Sequence, residues 1–393
     1  MRNISFILFI SIILSIYLIT HYYLWSKTNY IFSGNEIWRK GLKLVILIGS
    51  ISFVLGEILE HTVSSLPGEQ IYRIGAFWLA ALLYLIIGFV LIDLVRLANY
   101  IFPFLNNLGN PAKYKLIAGQ IITFSVLFIV VAGYYNARHP REKTINLQID
   151  KAINSKSNIK LLLATDIHLG ALCGDIRERK LVELIKSHQP DLVLFAGDIV
   201  DGDLGPVLRK KLGKHLNEIK PPMGLYAVPG NHEYIGGAKK TIPYLKSLGL
   251  KVLQDETVIL PNGIVLVGRE ERESKRFNGH QRKPLRELIK NIDKELPIIV
   301  MNHQPYPLQE AVENKVDLHL SGHTHHGQMW PFGYLTKAIF EISWGLEKRE
   351  NTTLYVSSGF GTWGPPIRTG NHPEIVIFNL HFNNKDQSYN FSE

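Results

Sequence analysis

Long apolar runs dominate the chain before residue 143 and constrain its fold more than any other feature. Three of these runs carry no charge: Ile4–Trp25, Ile74–Ile92 and Leu116–Ala137. A fourth begins at Leu44 and is interrupted at its far end by two glutamates. Because a helix needs about 20 apolar residues to cross a bilayer, we predict a membrane domain over residues 1–143 with about four transmembrane helices.

The basic residues between these runs predict how the chain is oriented, since cytoplasmic loops carry an excess of Lys and Arg. The first and third loops hold seven of them, against five at the N-terminus, in the second loop and after the last run. This distribution favours a protein integral to the cell membrane, with both ends of the membrane domain, and hence the rest of the chain, on the outer face.

The charge of the chain bears on its partners. Its formal net charge is +9, and the basic residues are scattered along the sequence. Scattered charge does not form the basic groove that nucleic acids need, so no nucleic-acid partner is expected. The charge fits membrane lipids or an anionic substrate as partners. The only cysteine, Cys173, excludes an intrachain disulfide.

After residue 143 short apolar runs alternate with polar segments, which indicates an α/β domain. We predict a polar linker over 144–157, a folded domain over 158–382 and a polar tail over 383–393. Buried strands are expected at Ile159–Ala164, Leu192–Ala196, Leu225–Val228, Ile264–Val267, Ile298–Met301, Leu318–Leu320, Leu354–Ser357 and Ile375–Leu380. Helices are expected at Arg177–His188, Lys239–Leu248, Pro284–Ile292 and Leu308–Glu313.

Polar side chains recur just past the carboxyl ends of five of the predicted strands. In chain order they are Asp166 and His168, Asp198, Asn231 and His232, His303, and His323 and His325. In open α/β sheets ligands bind outside the carboxyl ends of the strands, so these residues are expected to meet in one crevice. Carboxylate, amide and imidazole ligands together suit Mn, Fe or Zn. Asp198 can bridge two ions, and Gly197, Gly230 and Gly322 permit the sharp turns required.

This order of motifs resembles the calcineurin-like metallophosphoesterase superfamily, over roughly residues 158–382. The motifs are Asp166-x-His168, Gly197-Asp198-x-x-Asp201, Gly230-Asn231-His232-Glu233, His303 and Gly322-His323-Thr324-His325. Flanking pairs such as Leu169-Gly170 and Gly327-Gln328, and the run Gly361–Gly364, resemble its membrane-associated bacterial YkuE-like branch. That branch usually has Gly where this chain has His326, which is then either a solvated replacement or an extra substrate contact.

The resemblance implies a four-layer α/β/β/α sandwich with two divalent metal ions. Asp166, His168 and His325 would hold the first ion, Asn231, His303 and His323 the second, and Asp198 would bridge them. His232 would be a phosphate contact or general acid. Such a site predicts a phosphodiesterase or pyrophosphatase in which a metal-bridged hydroxide attacks phosphorus in line.

Three further residues lie near the motifs and are expected to play other roles. Asp201 and Glu233 are expected to orient ligands rather than to bind metal. Arg368, in a Pro-Pro-Ile-Arg loop, is either an exposed arginine or a phosphate contact, and the exposed interpretation is favoured.

Two segments bear on the substrate. Residues 269–286 contain seven Lys or Arg and can steer anions, although a solvated loop explains them equally well. Residues 329–344 contain five aromatic residues, which either dip into a membrane interface or pack in the ordinary way. With a membrane domain attached, the leading substrate class is a lipid-linked or envelope-associated phosphate. The alternative is a non-catalytic membrane scaffold that uses the fold for protein binding. Such a scaffold would be expected to have lost some metal ligands, but all seven are present in this sequence.

Overall fold

The computed structural model describes residues 2–62, 65–105, 110–154 and 156–384. The chain divides into two compact units, Met1–Gly133 and Tyr134–Glu393. The first unit is helical and the second is a mixed α/β domain.

The first unit is built from long helices. They are α1 (Arg2–Ile31), α2 (Glu36–Thr62), α3 (Leu66–Ile101) and α4 (Pro111–Ala137), the last of which ends inside the second unit. Asp93 of α3 accepts hydrogen bonds from Tyr23 and Lys27 of α1, at 2.8 and 2.6 Å. Among the described residues, three helical segments are long and apolar enough to cross a membrane: Glu36–Glu60, Leu66–Ile101 and Pro111–Ala137. The predicted run Ile4–Trp25 lies in α1, where the side chains of residues 2–7, 9 and 10 fall outside the described part.

The second unit contains two six-stranded sheets. Its strands are β1 (Arg141–Ile153), β2 (Asn158–Ala164), β3 (Leu192–Ala196), β4 (Leu225–Val228), β5 (Lys251–Val252), β6 (Glu256–Ile259), β7 (Val265–Gly268), β8 (Ile298–Met301), β9 (Leu318–Ser321), β10 (Gly345–Arg349), β11 (Thr352–Val356) and β12 (Glu374–Asn384). Its helices are α5 (Asp175–His188), α6 (Leu204–Lys210), α7 (Asn231–Ile235), α8 (Ala238–Ser247), α9 (Ser274–Asn278), α10 (Leu285–Leu288), α11 (Gln309–Glu313) and α12 (Phe332–Ile339), with 3-10 turns at Lys214–Glu218 and His325–Gly327. The sheet orders are β1-β12-β2-β3-β4-β5 and β10-β11-β9-β8-β7-β6.

The alternation of side chains along the strands produces the layers. In β2, Leu161 and Leu163 belong to one apolar core with residues of the second sheet such as Leu266, whereas Leu162 packs in another core with α5. In β7, Val265 packs outward in a third core. Because successive side chains of a strand point to opposite faces, the two sheets are packed face to face with helices outside. The predicted four-layer α/β/β/α sandwich is confirmed.

The parallel strands set the position of the functional loops. Strands β2, β3 and β4 are mutually parallel, and so are β7, β8 and β9. Parallel strands end at the same edge of their sheet, so the loops after them meet there. The turn at residues 261–263 joins the antiparallel pair β6 and β7.

The interpretation of residues 144–157 as a linker is wrong. Most of this segment belongs to β1, which pairs in parallel with β12 from the far end of the chain. As the edge strand of its sheet, β1 leaves most of its side chains exposed or half-buried, so its sequence looks like that of a linker. Residues 383 and 384 end β12, and the rest of the predicted tail, 385–393, lies outside the described residues.

Candidate metal centre

The seven predicted metal ligands come together at the carboxyl ends of the strands. Five of them are buried (Asp166, His168, Asp198, His303 and His325), and Asn231 and His323 are half-buried. Three groups each have their possible ligand atoms within 4.8 Å of one another: Asp166, His168 and His325; His168, Asp198 and His232; and Asp198, His303 and His323. Asp198 is shared by two of these groups, as a bridging carboxylate would be.

The first group has its ligand atoms in close contact. His325 Nε2 lies 3.0 Å from His168 Nε2 and 3.4 Å from Asp166 Oδ1. His168 Nδ1 lies 3.0 Å from Asp201 Oδ1, so its proton faces that carboxylate and the lone pair of its Nε2 faces the group. The geometry therefore presents an imidazole lone pair and a carboxylate toward one point.

The second group is arranged in the same way. His303 Nδ1 lies 2.9 Å from the Ala196 carbonyl, which only accepts, so Nδ1 carries a proton and Nε2 is the nitrogen that faces inward. That Nε2 lies 3.0 Å from Asp198 Oδ2 and 3.1 Å from Asn231 Oδ1. Asn231 Oδ1 is also 2.9 Å from His323 Nδ1. Oxygen and nitrogen lone pairs that converge in this way fit a cation.

The backbone at the ligands is held in an uncommon conformation. Asp166, His168, Asp198, His323 and His325 all have φ between 45° and 71°, the left-handed region that residues other than glycine seldom adopt. Each such residue costs on the order of 1–3 kcal/mol, and it persists only where the surrounding structure enforces it. Five of them at one edge of the sheets mark this edge as the functional site.

Two glycines are required by close approach rather than by a turn. A Cβ added at Gly230 would lie 2.1 Å from Asp198 Oδ1, and one at Gly322 would lie 2.2 Å from Asp166 Oδ2. Neither distance is compatible with any side chain. These glycines let the two aspartates sit against the neighbouring loops.

The electrostatics of the centre also indicate a cation. Burial lowers the pKa of His303, but the carboxylates of Asp198 and Asp166 outweigh it and raise the pKa to about 10. Burial, with the neighbouring Asp198 carboxylate, raises the pKa of Asp166. Buried carboxylates therefore attract positive charge into this space, and a divalent ion would supply it.

His232 stands beside the centre, as predicted. Its Nδ1 lies 3.1 Å from Asp201 Oδ1, and its ring is edge-on to that of His168 with centroids 4.6 Å apart. Burial lowers the pKa of His232, but Asp198 and Asp201 raise it more strongly, to about 9. Asp201 thus contacts both His168 and His232, which agrees with the prediction that it orients other residues.

Glu233 accepts hydrogen bonds from four backbone N–H groups. Its two carboxylate oxygens receive the amides of Asp198, Ile199, Val200 and Gly230, at 2.7–3.1 Å. The side chain is fully buried. It does not enter the ligand groups but anchors the loop that carries Asp198.

The expectation that Arg368 is exposed is wrong. Arg368 is 0% exposed, and its guanidinium donates to the carbonyls of Ser358, Gly359 and Gly361. Its Nη2 also lies 3.1 Å from His325 Nδ1. The arginine is buried because several backbone carbonyls accept its N–H groups. It also contacts the Nδ1 side of the His325 ring, opposite the Nε2 that faces the ligand group.

His326 is neither fully solvated nor directed at the ligand groups. It is half-buried, its Nδ1 lies 3.0 Å from Ser343 Oγ, and its ring packs on Trp344 at 5.3 Å. Asn371, which the sequence analysis missed, donates to the backbone carbonyls of both His325 and His326. No motif in the sequence marked Asn371.

A cavity opens beside the second ligand group. Its volume is about 410 Å³, and it is lined by Asn231, Ile235, Glu273, Arg276, Phe277, Gln304 and His323. Arg276 belongs to the predicted basic segment and is exposed, whereas Arg269 of the same segment is buried in ion pairs with Asp255 and Glu310. Only part of the basic segment can therefore meet an anion.

Four of the five aromatic side chains in the segment 329–344 are exposed, and the fifth, Phe340, is half-buried. No residue of α12 is buried, and its apolar face carries Phe332, Leu335 and Ile339, which are 40%, 56% and 65% exposed. Phe340, directly after α12, lies 5.8 Å from the ring of His323. An uncovered apolar helix therefore adjoins a candidate metal ligand.

Similar sequences occur among known proteins. The profile of the calcineurin-like phosphoesterases matches residues 159–327. A metallophosphoesterase of Aquifex aeolicus is 34% identical over 226 residues, which are 57% of this chain and 85% of that protein. A transmembrane protein with metallophosphoesterase domain from Danio rerio is 28% identical over 323 residues, 76% of this chain and 73% of that protein. A 5'-nucleotidase precursor from Thermus thermophilus aligns with 56% of this chain and 55% of its own, at a TM-score of 0.37 and 13% identity. The resemblance to the YkuE-like branch stays a prediction.

Proposed function

The chain belongs to the calcineurin-like metallophosphoesterases and is a metal-dependent phosphoester hydrolase, and we propose that it uses two metal ions on a lipid-linked phosphate. The observation that carries the two-ion proposal is the position of Asp198 between two clusters of ligands. Its Oδ2 lies 3.0 Å from His303 Nε2, which contacts Asn231, and 3.9 Å from His168 Nε2, which groups with Asp166 and His325. A complete ligand set weighs against the non-catalytic scaffold, which would not need one.

The proposed ligands form two sets around a shared carboxylate. Asp166, His168 and His325 are assigned to one ion, Asn231, His303 and His323 to the other, and Asp198 to both. Divalent ions at these positions, Mn, Fe or Zn by their ligand types, would polarise the phosphoryl oxygens and acidify a water for attack. The chain's own contribution is to fix the ligands and to exclude bulk water, since most of them are buried.

His232 is the proposed proton donor to the leaving group. The nearby Asp198 carboxylate and the contact with Asp201 favour the imidazolium form, which is the form that can donate a proton. The imidazolium of His232 can also bind a phosphoryl oxygen before it transfers its proton. His232 is thus assigned to substrate rather than to metal.

We expect His232→Ala to slow turnover by about 10²–10⁴-fold, the usual contribution of a positioned acid, while the metal content stays nearly intact. The measurement is kcat together with bound metal determined by elemental analysis. His280→Ala, an exposed histidine on the same unit, is the matched control. Loss of both metal ions in His232→Ala would show that this histidine is a ligand instead.

The reaction class is tested with the detergent-purified full chain and Mn²⁺. The substrates are an aryl phosphodiester, a phosphomonoester, a pyrophosphate and phosphates that carry long acyl chains. We expect metal-dependent hydrolysis of a diester or pyrophosphate. Absence of metal-dependent turnover on every member of the panel would overturn the proposal.

The exposed helix α12 supports a lipid-linked substrate. Its apolar face adjoins the metal centre through the contact of Phe340 with His323. The described residues also include three candidate membrane spans, which would bring a lipid surface and its phosphates within reach. Trp330, Tyr334 and Trp344, each more than 40% exposed, are of the residue types enriched at membrane interfaces. Membrane lipids are therefore the proposed partners.

We expect the double variant Leu335→Glu, Ile339→Glu to lower kcat/KM for an acyl-chain phosphate by at least about tenfold, because two aliphatic side chains that a bound acyl chain would cover are replaced by charged ones. Hydrolysis of a soluble aryl phosphodiester should not change. Leu208→Glu, an exposed leucine on α6, is the control. An equal loss on both substrates would mean that α12 supports the centre rather than the acyl chain.

The outer face of the membrane is the proposed side of the second unit, and the distribution of Lys and Arg supports it. Because the native Cys173 is buried, a Lys246→Cys variant offers one exposed thiol. Labelling by a membrane-impermeant reagent in intact cells is expected. Labelling only after lysis would place the second unit in the cytoplasm.

A further inference from the structure

The second unit has another cavity, lined by none of the candidate metal ligands. Its volume is about 560 Å³. The lining includes four cationic side chains, Arg138, Arg177, Arg179 and Lys180, together with Glu183 and Phe360. The cavity is larger than the one beside His323 and is used by no step of the proposed reaction.

Two arginines of this cavity have no counter-ion among the residues that the structure describes. Arg177 is only 6% exposed, and its Nη2 donates to the Phe360 carbonyl at 2.6 Å. Arg138 packs over the ring of Tyr134 and donates to its hydroxyl. Among the described residues, neither guanidinium forms an ion pair with a carboxylate, whereas Arg179 pairs with Asp175 at 2.7 Å.

The surrounding charges leave the cavity cationic. Asp175 is engaged by Arg179 and by Lys214 and His215 at 3.3 and 3.2 Å, and Glu183 is exposed. Burial and the facing Arg138 lower the pKa of Arg177, which reflects uncompensated positive charge. A buried guanidinium in such a place is most favourable when an anion binds beside it.

The position of the cavity indicates what that anion is attached to. Arg138 directly follows α4, the last candidate membrane span, which ends at Ala137. Cationic side chains at the end of a membrane helix meet the layer of lipid phosphates. Arginine also matches phosphate oxygens in a bidentate geometry.

We propose that this cavity binds a phosphate group, supplied by the headgroup of an anionic lipid. The site is distinct from the metal centre and requires no metal. It would bind the headgroup through Arg138, Arg177 and Lys180. Phe360, whose carbonyl holds Arg177, also donates its N–H to Thr165 next to Asp166, so the site borders the loop of a candidate ligand.

The test is a lipid titration of the full chain, purified in detergent and treated with EDTA so that the metal centre cannot bind phosphate. Native mass spectrometry follows binding of phosphatidylglycerol and of phosphatidylcholine, and a third arm uses glycerol 3-phosphate. Arg138→Gln and Lys180→Gln remove charge from partly exposed side chains. Lys246→Gln, exposed on α8 and outside the cavity, removes the same charge as a control.

We expect phosphatidylglycerol to bind more tightly than phosphatidylcholine and each cavity variant to weaken it by about tenfold, the loss of one charged hydrogen bond. Lys246→Gln should bind as the unsubstituted chain does. Binding of glycerol 3-phosphate with the same dependence on Arg138 would retain the phosphate site but assign it a soluble source. Equal binding of both lipids, or binding unaffected by Arg138→Gln and Lys180→Gln, would overturn the proposal. Because the readout is binding without metal, failure here leaves the hydrolase proposal untouched.

Discussion

Asp198→Ala is expected to abolish phosphoester hydrolysis and to release at least one metal ion. Asp198 Oδ2 lies 3.0 Å from His303 Nε2 and 3.9 Å from His168 Nε2, so it faces both ligand groups. Although burial opposes ionisation, the imidazoles of His303 and His232 hold the pKa of Asp198 well below its usual range. These contacts favour the carboxylate form, which is the form that binds cations.

The expected loss of kcat/KM is at least about 10³-fold, because metal ions contribute several kcal/mol of transition-state stabilisation. Activity on an aryl phosphodiester and metal content by elemental analysis are the two measurements. Asp150→Ala, which removes an exposed carboxylate from β1, should change neither. Retention of both ions in Asp198→Ala would contradict the bridging assignment.

Glu233→Gln is expected to have the largest effect on stability. The carboxylate accepts four backbone N–H groups and has no exposed surface. Burial and the neighbouring Asp198 raise the pKa of Glu233, while the four N–H donors favour its ionised form. In glutamine, an NH₂ group replaces one acceptor and faces two of these donors.

Two buried amides left without acceptors cost about 1–3 kcal/mol each. For a domain of this size a loss of a few kcal/mol lowers the melting temperature by about 10 °C. The loop with Asp198 should also relax, which weakens metal binding by about 10–100-fold. Melting followed by tryptophan fluorescence and a metal titration measure the two effects. Glu183→Gln on the surface of α5 is the control, and a variant as stable as that control would show that Glu233 does not anchor the loop.

The sequence predicted the strands that carry the site because they are buried on both faces. Strands β3, β4 and β8 have the predicted bounds, since continuous apolar runs end where the polar motif begins. The edge strand β1 was missed for the opposite reason. It is polar along most of its length and is held by pairing with β12, more than two hundred residues away.

Arg368 shows a similar limit within the site. In the sequence it is one charged residue in a loop of prolines, and such a residue is usually exposed. It is buried because the carbonyls of residues 358, 359 and 361 surround its guanidinium. That arrangement depends on how the connection between β11 and β12 folds back on itself, which the sequence pattern does not specify.

The sequence by itself determined the chemistry, because each ligand type follows its own strand and the order of motifs is preserved along the chain. The sequence also determined that the first third of the chain can form membrane-spanning helices, because this depends only on the length and apolar character of its runs. The tertiary structure decided which side chains support the ligands, namely Glu233, Arg368 and Asn371, and it left α12 and the arginine cavity exposed. These features arise from the packing of distant segments, whose contact energies appear only once the chain is folded.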